Sequence, residues 1–114
     1  MNNEQKVEYL KEVRKVIATP KQWTREKCAI NAKKESVPSD SEEATCWCIY
    51  GAVNKVSYEF QENQKIKLML NAEANKLGFT TAPQFNDHPS TTHADVLKLI
   101  DNAIETAEKA NNEN

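Results

Sequence analysis

The residues of this 114-residue chain whose types could do chemistry are three cysteines, two histidines and one aromatic-flanked polar run. Cys28, Cys46, Cys48, His88 and His93 are the side chains from which a zinc site could be drawn. Cys46 and Cys48 stand two apart in a tract that reads as helix, where side chains two apart diverge by about 200°. They are therefore read as buried or half-buried thiols, with no metal and no cofactor assigned. A cysteine nucleophile needs its thiolate stabilised by a neighbouring His or a helix N-terminus. Cys46 stands within about two turns of the predicted start of that helix, but nothing in the spacing brings His88 or His93 to it, and Cys48 reads as a small core residue.

The polar run is Phe85-Asn86-Asp87-His88, between Pro83 and Pro89. Asp87 with His88 has the residue types for acid-base chemistry. The competing reading gives Asn86 and Asp87 to loop amides or a helix cap, as Asx turns do. A second cluster is Trp23, Arg25 and Lys27, in which an indole could stack on a base while the cations meet phosphate. Trp23 could equally fill space between elements, and that is the reading adopted for Trp47. Lys21, Arg25, Lys27, Lys33 and Lys34 outnumber Glu26 and Glu35 in this stretch, which makes either a solvated face or an anion site.

Composition narrows the classes. Fifteen basic residues against seventeen acidic ones leave a formal net charge of −2, so no global field favours duplex nucleic acid. Two glycines, Gly51 and Gly78, are too few for a phosphate-cradling loop. No apolar run approaches the ~20 residues that span a bilayer, and the polar start Met1-Asn2-Asn3-Glu4 lacks the apolar core of a signal peptide. An odd number of cysteines, two of them at 46 and 48, fits a reducing cytoplasm better than a disulfide framework.

The elements that must position these residues are helices. Val7, Leu10, Val13 and Ile17 make an amphipathic stripe, with Asn3 as N-cap and an end near Ala18, since Pro20 pushes Thr19 out of helical geometry. Residues 19–39 form an ordered loop with room for one short helical turn. Ser39-Asp40-Ser41-Glu42 matches a capping box, so a second, central helix is expected from Glu42 to Phe60, apolar nearly all round. Gly51 inside it costs about 1 kcal/mol against alanine, which points to close approach by another backbone. After the polar break Gln61–Gln64, Ile66, Met69, Leu70, Ala74 and Leu77 give a third helix that stops at a glycine C-cap, Gly78, with Phe79 folding back. A loop at 79–91 precedes a last helix, entered through Thr92 and Asp95 and buried along Val96, Ile100, Ala103 and Ala107. The fold class is all-α: a four-helix domain over residues 1–110 with two long ordered loops, room for minor β pairing in 24–38 or 79–86, and a frayed tail at 111–114.

Gln22-Trp23-Thr24, Ala29, Ala32, Val37 and Ala44 lead into Trp47-Cys48-Ile49-Tyr50-Gly51-Ala52, and Phe85-Asn86-Asp87 follows with Thr91 and Val96. This pattern, W-T, then W-C-x-x-G-A, then aromatic-N-D, resembles a family of small uncharacterised bacterial and phage proteins, a domain of unknown function. The resemblance covers most of residues 7–107 and implies one cytoplasmic domain, in a bacterium or in the host of a phage, with no reaction attached. The chain departs from the pattern at Arg25-Glu26-Lys27-Cys28, where small residues are common in the family, which puts in doubt a backbone ligand contact there.

The function expected from these observations is non-enzymatic: binding of a protein partner or a small anionic ligand by Trp23, Arg25, Lys27, Asn86, Asp87 and His88, with no catalytic residue assigned. Trp23 and Phe85 are expected to pin the two loops, with any groove between them. The resemblance adds a phage accessory or counter-defence role. The alternatives are a small hydrolase or transferase using Asp87 and His88, and a homo-oligomerisation module.

Overall fold

The four-residue apolar stripe of the first segment behaves as its spacing dictates. Val7, Leu10, Val13 and Ile17 are all buried, on or just after helix α1 (Asn3–Val16). Its N-cap is Asn2 rather than Asn3, because Gln5 stands three residues on and completes a reciprocal box: each side chain accepts the other residue's amide at 2.8 Å. The computed structural model describes residues 1–112. Along it follow a 3₁₀ turn (Pro20–Gln22), strands β1 (Ala29–Ile30) and β2 (Cys46–Trp47), and helices α2 (Ile49–Val56), α3 (Phe60–Lys76), α4 (Ala82–Asp87) and α5 (His93–Asn112). The fold is all-α apart from the antiparallel ribbon, in which Ala29 faces Trp47 and Ile30 faces Cys46. Of the tail expected to fray at 111–114, residues 111–112 belong to α5, and residues 113–114 lie outside the described residues.

The largest departure from expectation is the tract 42–60. It is not one helix. Residues 46–47 are extended and paired with β1, and α2 is only eight residues long. The presumed capping box makes turns instead: Ser39 is buried with its carbonyl accepting the Trp47 indole N–H at 2.9 Å, while the Ser41 hydroxyl accepts the Glu43 amide. Pairing with β1 satisfies the backbone that a longer helix would otherwise have satisfied, and helical geometry begins only after Cys48. Cys46 and Cys48 thus do not stand on one helix, and helical divergence does not separate them. Their thiols still part: Cys46 Sγ donates to the Lys21 carbonyl at 3.0 Å, and Cys48 Sγ accepts the Gly51 amide at 3.3 Å.

Phe60 was expected on the central stripe and is 73% exposed, because the chain turns at Ser57 and restarts as α3. The polar stretch at 61–64 is that helix's first turn rather than a break. Glu59 caps it, and buried Asn63 ties it back by donating to Asn54 Oδ1 and the Ser57 carbonyl. α3 ends as expected. Gly78 sits at φ +90°, its amide reaching the Asn75 carbonyl and that of Phe79 the Ala74 carbonyl, the paired bonds of a Schellman motif.

The core forms where α1 packs on α5 and α2, and α3 on α5 and α4. Leu10, Val13, Ile49, Val53, Ile66, Leu70 and Ile100 are fully buried there. Tyr9 closes one end by placing its hydroxyl 3.1 Å from the Val53 carbonyl and 3.0 Å from that of Ser57, at the C-terminal end of α2. The expected 79–91 loop contains α4, whose Pro83 lies in the first turn, where a missing N–H costs nothing. The Thr92–Asp95 entry to α5 is a reciprocal capping pair as expected.

Candidate functional site

Asn86 organises the region in which both recognisable motifs meet. It is fully buried at the end of α4. Its Oδ1 accepts from the Trp23 indole at 2.8 Å and from the Ile49 amide at 3.1 Å; its Nδ2 donates to the Thr24 carbonyl at 3.1 Å and to Asp87 Oδ1 at 2.9 Å. Two acceptor sites and two donors are all that an amide side chain has, so none is left for a ligand. One residue thus joins the 20s loop, the start of α2 and α4.

The other residues singled out from the sequence gather around it in different ways. Trp23 is half-buried, with the Arg25 guanidinium 4.5 Å from its ring centre and the His93 ring 6.0 Å away. Arg25 also donates to the Thr91 carbonyl, so its charge lies over the indole and against the start of α5. Asp87 Oδ1 accepts the Glu26 amide at 2.8 Å, which steadies a residue held at φ +70°. His88 faces the other way: its Nδ1 accepts the Ser90 amide at 3.1 Å, and its ring meets Phe79 edge-on. Lys27 is exposed, its ammonium 3.4 Å from the Lys34 carbonyl. Asp87 and His88 thus hold separate backbone amides, and His93 donates its Nε2–H to the Ile17 carbonyl at 2.7 Å.

The W-C-x-x-G-A motif is a strand-to-helix corner. Trp47 is anchored through its indole, Cys48 caps α2 with its sulfur, and Ala52 is buried. Gly51 is required for the reason its helix penalty suggested: a Cβ there would fall inside the van der Waals envelope of the Cys28 carbonyl oxygen. Cys28 itself was missed as a partner of this corner. Its thiol is exposed and lies twenty positions from Cys48, with no spacing signal linking them.

Beside this clamp lies a groove of about 450 Å³. Leu77, Phe79, Phe85 and Leu99 supply its apolar walls, and His88, Asp95 and Lys98 its polar groups. Phe79 and Phe85 meet edge-on at 5.3 Å and form one continuous wall. Trp23 is not part of the lining; the groove lies on the Phe85 side of the clamp rather than between the two aromatic anchors.

A helical domain with a strand-to-helix corner locked by one buried amide is what the fold and the clamp define. The chain belongs to a family of unknown function, DUF6197, the match spanning residues 1–106. No curated protein and no solved structure matches it. Among the described residues no helix is long and apolar enough to cross a membrane, and no group of three His, Cys, Asp or Glu side chains could hold a metal ion.

Proposed function

We propose that this protein is a non-enzymatic binding protein that takes an apolar segment of a protein partner into the groove between the end of α3, α4 and the start of α5. The observation that carries this is the groove's make-up, apolar walls with a few polar groups at the edge, as recognition sites have. Leu77 is 53% exposed at its margin, a large apolar side chain whose coverage by a partner would contribute about 1 kcal/mol. The bonds of Asn86 and Arg25 fix the adjoining loops in advance, so little conformational entropy is lost on binding. Lys98 on the edge suits an acidic residue flanking the apolar segment. A small anion is the lesser form of the same reading: Lys27, Lys33 and Lys34 are exposed, whereas Arg25 is engaged within the clamp. The bacterial or phage cytoplasm, and a counter-defence role by occlusion, come with the family resemblance.

The hydrolase or transferase reading has less support, because the two side chains it would use hold the Glu26 and Ser90 amides rather than each other. The test of the binding reading is capture of host proteins by the wild-type chain and by a Leu77→Glu, Lys98→Glu double variant. Both positions are exposed, so the fold is expected to survive and the captured partner to be lost, while Lys109→Glu on the far end of α5 retains it. Equal capture by all three removes the groove from the account. Self-association has one observation in its favour, the exposure of Tyr58, Phe60 and Leu68 on and beside α3. A light-scattering concentration series is expected to show a mass that rises with concentration if that face pairs, and Phe60→Glu to abolish the rise.

A further inference from the structure

The register that pairs Ala29 with Trp47 sets Cys28 opposite Cys48, and the Cys48 amide donates to the Cys28 carbonyl at 3.1 Å. Directly opposed residues of an antiparallel ladder have Cα atoms about 4.5–5.5 Å apart, inside the ~4.4–6.8 Å range that a disulfide bridges. The absent side chain of Gly51 lets the two backbones close to this spacing. Cys28 is exposed and Cys48 buried, so a small oxidant in solution meets one sulfur and not the other.

The groups that act on the Cys28 sulfur are the Cys48 thiol at the start of α2 and the charges of Lys67 on α3 and Asp87 on α4. The hydrogen bond from the Cys48 thiol draws Cys28 down to about 6; burial opposes this, the Lys67 ammonium assists it and the Asp87 carboxylate opposes it. Cys48 is pushed up, first by the same hydrogen bond and then by burial. Of the two, Cys28 is therefore the thiol favoured to ionise and Cys48 the one favoured to keep its proton. Lys67 is held in place with its ammonium 4.9 Å from the centre of the Tyr50 ring.

We propose that Cys28 and Cys48 form a two-thiol redox site for small hydroperoxides, with Cys28 as the attacking sulfur and Cys48 as the resolving one. The Cys28 thiolate attacks the outer oxygen of the hydroperoxide; the O–O bond breaks, an alcohol or water leaves after taking a proton from solvent, and Cys28 becomes a sulfenic acid. The Cys48 sulfur then attacks the Cys28 sulfur, forming the disulfide and expelling hydroxide, which leaves as water with the Cys48 proton. Two thiols are oxidised by two electrons, and one hydroperoxide is reduced to alcohol and water. A dithiol reductant reverses the product.

The experiment uses the full chain carrying Cys46→Ser, treated with one equivalent of hydrogen peroxide, then digested without reduction and weighed. The expected result is a peptide pair joined through Cys28 and Cys48, lost on adding dithiothreitol. With Cys48→Ser added, whose hydroxyl can still cap α2, the oxidised Cys28 is expected to persist and be trapped by dimedone. With Cys28→Ser instead, Cys48 is expected to remain reduced. At pH 6 Cys28 is expected to alkylate about tenfold faster than glutathione, the gain in thiolate exceeding the loss of nucleophilicity. Linkage only between chains, or a Cys28 no faster than glutathione while circular dichroism shows an intact fold, overturns the proposal.

Discussion

Asn86→Ala is expected to destabilise the domain by about 4 kcal/mol, lowering the melting temperature by roughly 15 °C for a chain of this size. Truncation leaves the Trp23 indole N–H, the Ile49 amide and the Thr24 carbonyl without the partner that Asn86 gives them. A buried group left unsatisfied costs about 1–3 kcal/mol; Trp23 and Thr24 are only half-buried, which places the sum in the lower half of the range. The loss is also spatial, since the side chain joins segments 37 to 63 positions apart. Asn86→Asp is expected to fall between wild type and alanine. It keeps an acceptor for both N–H groups but gives up the two donations and sets a carboxylate against Asp87. Urea unfolding of the three proteins measures this, and an alanine variant within 1 kcal/mol of wild type would show that the clamp contributes little.

Gly51→Ala is expected to cost about 3 kcal/mol net, although alanine is the better helix former by about 1 kcal/mol. The steric term wins because the obstacle is the Cys28 carbonyl, a backbone atom that moves only if β1 moves. Displacing β1 also lengthens the bond between the Cys48 amide and the Cys28 carbonyl. Peroxide-driven linkage of Cys28 to Cys48 should therefore fall together with stability. Gly78→Ala is the control. A Cβ there has nothing within 4 Å, and only the left-handed φ of +90° is strained, so the expected cost is about 1 kcal/mol with linkage unchanged. Equal effects of the two substitutions would mean that backbone approach at Gly51 is not what selects glycine.

Where the sequence could be read, one local rule decided the outcome. The α1 stripe, the glycine end of α3 and the Thr92–Asp95 entry to α5 each depend on residues within a few positions of one another, and each is found as expected. Where two rules competed, the local one lost. Trp47-Cys48-Ile49 is apolar on every side, and such a run cannot by periodicity tell a helix from a buried corner. Pro83 lies in a stretch whose two prolines and polar run read as loop, yet it stands in the first turn of α4, where a helix asks for no proline N–H. Gly51 shows the boundary well: its helix penalty announced that some backbone comes close, but not which one.

An all-α domain, and the faces along which its long helices bury, could thus be read from the residues alone, because periodicity and capping act between neighbours in the chain. It took the three-dimensional packing to pair residues 46–47 with 29–30, to commit all of Asn86's hydrogen-bonding capacity internally, and to set Cys28 opposite Cys48 across the ribbon. Those outcomes depend on contacts between residues twenty to sixty positions apart. Their geometry is fixed by packing and by the need to satisfy buried polar groups, neither of which leaves a spacing signal in the chain.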